Sequence, residues 1–473
     1  MGEYKPTIGL EVHAELKTRT KMFCDSLNDP DEKNPNINVC PVCLGHPGTL
    51  PTINKKAVEA VIKVGLALQG TPNAETRFDR KNYFYPDLPK AYQISQSGKP
   101  IISGGILRGV KINHIHLEED AGKLIHDDVS GDTLVDYNRA SVPLMELVTE
   151  PDIHTAEDAV AFMKEVQLVL RYLGVSDADL ERGQMRADAN ISLSATDKLG
   201  TRAEVKNLNS FKSVFQAINY EIKRQTELLE KGESIKQETR GWSDITQKTT
   251  SQRSKEEAQD YRYFPEPDLP PFSTAVFDIE KLRMELPELP AARLVRLQKE
   301  YALDTGQAEL LVGDPTLGEF FENAVSELRA DNSEAKVQTL YNYLTSDLRG
   351  LMNEFGVLLC DTKINPEHFA HLASRVDDGK LTSRQAKDIL RKMFETGLDP
   401  EDIIKSENIG TSDTGEIEAV VLAVITENYV AVADYKKGKT ASLQFLIGKA
   451  MGILKGRAKP DMLKEIFEKN LQS

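Results

Sequence analysis

The sequence predicts an α+β fold: an N-terminal domain around an antiparallel sheet, then an all-α helical domain and a small helical tail domain. Three observations carry this. Up to about residue 290, apolar and polar residues alternate in short runs punctuated by Gly and Pro. From "ELPELPAARLVRLQKEY" onward the apolar spacing turns helical and stays so. The polar stretch "ENIGTSDTGEIEAV" then interrupts that pattern ahead of a basic tail. These breaks divide the 473-residue chain into segments 1–290, 291–406 and 407–473, in keeping with a length that exceeds one ordinary hydrophobic core.

The first element is "IGLEVHAEL". Ile8, Leu10, Val12, Ala14 and Leu16 share one face of a strand; Glu11, His13 and Glu15 share the other. Three further segments repeat the pattern. "INHIHLEEDAGK" carries His114 and His116 into three consecutive acids, and the break in its alternation leaves Glu118 and Glu119 undecided. "MRADANISL" sets Arg186, Asp188 and Asn190 opposite an apolar back. "TRAEVKNL" does the same with Arg202, Glu204 and Lys206. Four such strands in one antiparallel sheet give an apolar back on the core and a charged floor in front. The carboxylates and His13 suit Mg²⁺ or Mn²⁺ with bound phosphates, and Arg186, Arg202 and Lys206 suit phosphate oxygens. Glu15 reads as plain surface. Between the strands, "HTAEDAVAFMKEVQLVLRYLG" predicts a helix capped by Thr155 with Asp158 and ended by Gly174.

Two motifs stand apart from the sheet. "FCDSLNDPDEKNPNINVCPVCLGHPG" holds Cys24, Cys40 and Cys43, a zinc-type knuckle one thiol short of four, with Asp25 and His46 near enough to supply a fourth ligand. "FDRKNYFYPDLPKAYQIS" and "DYRYFPEPDLPPF" echo each other as aromatic–basic loops, suited either to stacking on an RNA end or to closing hairpins.

Composition narrows the function class. Net charge is −15, which opposes coating by nucleic acid and gives no support for DNA binding. Between Asp434 and Lys469, however, Lys and Arg outnumber Asp and Glu by more than two to one, a basic module suited to RNA. Its Leu443, Ile447, Ala450 and Leu454 form a helical stripe, and Gly448, Gly452 and Gly456 recur at a spacing that admits close packing. No apolar run is long enough for a membrane span. Four Cys, three of them clustered, suit a reducing, cytoplasmic setting. Neither a phosphate-binding Walker or Rossmann glycine motif nor a G-x-S-x-G nucleophile occurs.

In order along the chain, "IGLEVHAEL", "VCPVCLGHPGTLP", "FDRKNYFYPDLPKAYQISQ", "HLEEDAGK", "DYNRASVPLMELVTEPDI", "RADANISL", "EVKNLNSF" and "DYRYFPEPDLP" resemble the B subunits of aspartyl/glutamyl-tRNA amidotransferases. The resemblance implies a cradle-like first domain and a tail that contacts tRNA. It implies an ATP- and Mg²⁺-dependent ligase acting on Glu carried by a Gln tRNA, or Asp carried by an Asn tRNA. The side-chain carboxylate is phosphorylated, and ammonia then displaces the phosphate. That ammonia comes from an amidase-type glutaminase partner, and a small third protein completes the heterotrimer. The absence of a Ser nucleophile accords with that division of labour. By the same resemblance Glu11, His13, Glu119 and Lys206 are catalytic, and Glu11, His13, Glu119, Asp188 and Glu204 hold the metal. Lys81, Tyr83, Lys123, Arg186 and Asn207 line the ATP and acceptor-end pocket. The departure is Ser26, where zinc-bearing members carry a second Cys, so zinc at the knuckle stays open. Two rival readings also stay open: a non-catalytic tRNA-binding scaffold and a stand-alone phosphohydrolase.

Overall fold

The computed structural model describes residues 4–127, 129–254, 261–330, 336–407, 414–436, 438–454, 458 and 460–471. The chain divides into two compact units, Met1–Ala292 and Arg293–Ser473.

The first unit is organised by a ten-stranded sheet. Its long strands are β1 (Lys5–Glu15), β4 (Val110–Glu119), β5 (Pro143–Thr149), β6 (Met185–Ser194), β7 (Ala203–Leu208), β8 (Glu238–Ser243) and β9 (Lys248–Ser254). Between β1 and β4 lie β2 (Asp79–Asn82) and β3 (Tyr92–Ser95), which pair with each other in a separate small sheet. The large sheet runs β9-β8-β7-β6-β1-β5-β4 and continues through the two-residue strands Ile102–Ser103 and Thr71–Pro72, with Ile106–Leu107 paired to β4. The β7–β8 pair is parallel, a departure from the all-antiparallel expectation. That geometry requires a crossover, supplied by α3 (Phe211–Glu230).

The predicted alternation holds where it positions the site. On β1, Ile8, Leu10, Val12 and Ala14 are buried almost completely, and they face a core shared with Ile115, Leu117, Leu147, Ala189 and Val205. Three helices contribute to the same core: α1 (Lys55–Ala67), α2 (Ala156–Tyr172) and α3. Helix α2 forms as its sequence predicts. The Thr155 hydroxyl accepts from the Asp158 backbone N–H and donates to the Asp158 carboxylate at 2.7 Å. Gly174 adopts φ +65° after its last turn, where a Cβ would be strained.

In the second unit, the tail has its own apolar core. Helices α4 (Thr414–Glu427), α5 (Tyr429–Lys436), α6 (Thr440–Ile453) and α7 (Pro460–Leu471) enclose Val421, Leu446, Ala450, Leu463 and Phe467. The predicted stripe Leu443, Ile447, Ala450 and Leu454 is buried. The glycine stripe behaves otherwise. Among the described residues, Gly448 and Gly452 have no neighbour within 4 Å of a Cβ built on them, so no close backbone contact uses them there; Gly456 lies outside the described residues.

Phe162 is fully buried on α2. Phe162→Ala is expected to lower unfolding free energy by about 3–5 kcal/mol, read from the shift in urea midpoint of the first unit's transition.

Candidate active site

The register of β1 creates the site. Glu11 lies opposite Asp188 and His13 opposite Arg186 across β6, while on the other side His13 lies opposite Glu146 of β5. In turn Glu146 lies opposite His116 of β4. A bulge in the β6–β7 pairing, between Ala187 and Ala189, leaves Glu204 opposite Asn190. These side chains share the face away from the core, and they sort into two triads.

The first triad is His13, Glu118 and Glu146, whose potential ligand atoms all lie within 4.8 Å of one another. The His13 Nε2 is 3.2 Å from Glu146 Oε2 and 4.0 Å from Glu118 Oε1. His116 adds a second imidazole 3.3 Å from the same Glu146 oxygen. Burial pushes the Glu146 carboxyl up, but the flanking imidazoles outweigh it and hold the group well below its ordinary value. For His116 burial opposes charge, yet Glu146 and Glu118 raise its pKa to about 9. The Nδ1 atoms of His13 and His116 are both buried with no hydrogen-bond partner among the described residues, an unmet demand that native interiors rarely leave.

The second triad is Glu11, Asp188 and Glu204, again within 4.8 Å. Lys206 lies among them, 2.7 Å from Asp188 Oδ2 and 3.2 Å from Glu204 Oε1. Asn190 donates to Glu11 at 2.9 Å, and Thr239 of β8 donates to Glu204 at 2.7 Å. Burial, and then Glu146, Asp188 and Glu204, raise the Glu11 pKa. Three carboxylates this close are a donor set for a hard divalent cation, and His13 with two carboxylates suits Mg²⁺ or Mn²⁺ as well. The donor chemistry therefore fits the metal that the sequence implied, in two places rather than one.

The aromatic–basic loops meet each other. Phe264 and Pro265 pair with Arg80 and Asp79 of β2, and Arg80 forks onto Glu266 at 2.7 and 2.8 Å. The Lys81 ammonium lies 5.1 Å from the Tyr261 ring centre, with the Tyr83 ring 5.7 Å from that ring. Burial lowers the Lys81 pKa, but Glu118, Tyr263 and Glu146 carry it above the ordinary lysine value. Lys81 is thus a cation held in the field of the first triad.

Several expected residues stand elsewhere. Glu119 is not beside His13. Strand β4 runs unbroken through it, so alternation sends Glu118 to the His116 face and Glu119 to the other. There its carboxylate takes the Lys90 ammonium at 2.5 Å and the Ile94 N–H at 2.8 Å. Lys123 is exposed on a separate ribbon, Lys123–His126 paired with Thr133–Asp136. Arg186 is committed to Asp120 by two contacts of 3.1 and 3.2 Å. The Asn207 side chain lies outside the described residues. Glu15, read as surface, is half-buried, and burial together with the Asp120 carboxylate pushes its pKa up to about 8.

At the knuckle, Cys24, Cys40 and Cys43 converge within 4.8 Å without Asp25 or His46. All four cysteines are free thiols.

The chain matches the GatB/GatE catalytic domain over residues 6–278 and the GatB domain over residues 319–471. It belongs to the GatB family. Its relatives include the B subunit of the aspartyl/glutamyl-tRNA(Asn/Gln) amidotransferase from Thermomicrobium roseum, 45% identical over 99% of both chains. The protein of the same description from Ruminiclostridium cellulolyticum is 44% identical over 99% of this chain and 98% of its own. Its counterpart from Dehalococcoides mccartyi is 44% identical over the whole of both. The family match favours the catalytic reading over the scaffold.

Within this GatB chain, sequence reasoning missed Glu146 and Lys90. Glu146 had a signal: it is the one acid in the apolar run "VPLMELV", at a position in phase with an outward face. Glu15 also supplies a test. A carboxyl whose folded pKa is raised costs nothing below its unfolded pKa of 4.5 and increasingly destabilises as pH rises toward 8. Glu15→Gln is therefore expected to leave the urea midpoint unchanged at pH 4 and to stabilise at pH 7.5 by on the order of 2 kcal/mol.

Proposed function

We propose that this chain is the kinase and transamidase component of a tRNA-dependent amidotransferase, working with an amidase-type glutaminase and a small third protein in a heterotrimer. Its substrates are Glu on a Gln tRNA, Asp on an Asn tRNA, or both, with ATP. The observation that carries the reading is the pair of anionic triads on one sheet face, His13–Glu118–Glu146 and Glu11–Asp188–Glu204, bordered by Lys206 and Lys81. Such a floor suits phosphoryl transfer, where the protein chiefly positions and neutralises charge.

Mg²⁺ held by these triads would offset the charge of the ATP phosphates. The residues do the rest. Lys206 holds Asp188 and Glu204 in place and presents a fixed cation to incoming phosphate oxygens. Lys81, confined by Tyr261, presents another from the β2 side. Between them the γ-phosphorus is attacked by the substrate's side-chain carboxylate oxygen, breaking the bond to ADP and giving an acyl phosphate. Ammonia then adds to the acyl carbon, phosphate leaves, and the amide remains. A cytoplasmic setting accords with the free thiols, and among the described residues no helix is long and apolar enough to cross a membrane.

The direct test supplies the purified chain with ATP, Mg²⁺, ammonium and Glu-tRNA(Gln), without the glutaminase. Amide formation is expected, falling at least about 100-fold with Glu11→Ala or Glu146→Ala while tRNA binding persists. Glu119→Gln, away from the triads, separates the two assignments: a larger loss there than at Glu118→Gln returns the ligand role to Glu119. For the basic tail, truncation after residue 407 is expected to weaken tRNA affinity and flatten its salt dependence, measured by filter binding across a salt titration.

A further inference from the structure

Glu221 of α3 has no accessible surface, and no part of the proposed reaction uses it. A buried carboxylate is costly unless it is paired and hydrogen-bonded, and this one is both. Arg224 Nε donates to it at 2.9 Å, the Gln225 amide at 2.9 Å and the Thr249 hydroxyl at 3.2 Å. Arg240 of β8 approaches it to 3.6 Å and donates to the Thr249 hydroxyl and carbonyl at 2.8 and 2.9 Å. Gln225 also donates to the Ile191 carbonyl of β6 at 3.2 Å. One carboxylate thus ties α3 to β6, β8 and β9.

The need for such a tie follows from the topology. A hairpin takes its register from its turn, but β8 runs parallel to β7 and reaches it through α3, so no tight turn fixes the pair. In the observed register Val205 lies opposite Arg240, and Glu204 opposite Thr239. Val205 belongs to the core, so Arg240 points toward α3 and Thr239 toward the floor. There the Thr239 hydroxyl donates to Glu204 Oε2 at 2.7 Å, while Lys206 lies 3.2 Å from Oε1. Both oxygens of Glu204 are held. The β8–β9 pairing also shifts register at this point: Thr239 lies opposite Arg253, but Arg240 lies opposite Ser251. Such an irregularity re-aims side chains beside a site. A slip of β8 by one residue would exchange its faces. It would set the Arg240 guanidinium beside Glu204 and take the Thr239 hydroxyl away.

We infer that Thr239 is a positioning residue for Glu204, and that the buried Glu221–Arg240 contact behind the sheet fixes the register that presents it. The inference rests on the second triad being a cation site. The first triad is drawn from β1, β4 and β5, with β6 and β7 between these strands and β8. The two triads are therefore separable: β8 tunes one and not the other.

The test titrates Mn²⁺, a paramagnetic substitute for Mg²⁺, into the full-length chain and follows the free ion by electron paramagnetic resonance. Two sites are expected, one of them lost in Glu204→Gln. Thr239→Val keeps the shape and removes the hydroxyl; it is expected to weaken that same site by about 10–100-fold and to leave the other unchanged. Thr239→Ser is expected to restore it. Glu221→Gln is expected to weaken the same site by at least about 10-fold. Where circular dichroism shows that Glu221→Gln does not fold, Arg240→Lys takes its place, keeping the charge and losing the fork. An unchanged site in Thr239→Val overturns the role of Thr239, as does a Thr239→Ser chain no better than Thr239→Val. In the folded Glu221 or Arg240 variant, an unchanged titration or equal weakening of both sites overturns transmission through β8. If Glu204→Gln removes no Mn²⁺ site, the second triad is not a cation site, and the inference falls with that reading.

Discussion

Strand β1 is the constraint on which the rest of the first unit depends. It lies between β5 and β6, so its two faces must serve two purposes at once. Val12, Ala14 and Leu10 seal the core while Glu11 and His13 reach across to Asp188 and Glu146. Because strand periodicity is two, a slip of one residue would exchange these faces. It would drive Glu11 and His13 into the apolar interior and dissolve both triads together. Core packing and chemistry are thus specified by the same register, and stability of the core is what keeps mutually repelling acids side by side.

That arrangement explains how the acids are tolerated. Each triad has its own compensation: the paired imidazoles of His13 and His116 around Glu146, and Lys206 between Asp188 and Glu204. Further donors behind them tie the carboxylates down, Asn190 on Glu11, Thr239 on Glu204 and Ser95 on Glu118. A floor held this way changes little when charge arrives, which is what preorganised electrostatic stabilisation requires.

How much of this the sequence discloses depends on the kind of signal. Alternation reveals the faces of β1, β6 and β7, because a half-buried strand has to alternate. It leaves Glu118 and Glu119 undecided, because three consecutive acids look like the end of a strand. In the structure β4 continues through Glu119, and the Asp120 N–H still pairs with the Val142 carbonyl. Lys123 and Arg186 carry suitable charge, but charge alone does not say that one stands on an outlying ribbon and the other is already held by Asp120. Glu221 was illegible for the opposite reason: in "NYEIKRQ" a glutamate reads as surface, and only tertiary packing buries it completely. The glycines of α6 carried a periodicity that meets no partner among the described residues.

The position of β1 also has a consequence for how the protein comes into being. The strand is made first, but its partners β5 and β6 begin 128 and 170 residues after its last residue, at Pro143 and Met185. At synthesis rates of about 5–20 residues per second, an emerging β1 waits roughly 10 s or more for both neighbours. During that interval the apolar edge of "IGLEVHAEL" has no sheet to join. The central strand of the sheet is therefore a vulnerable segment of the nascent chain, and its charged face, beyond any role in chemistry, helps keep it from pairing with the wrong edge.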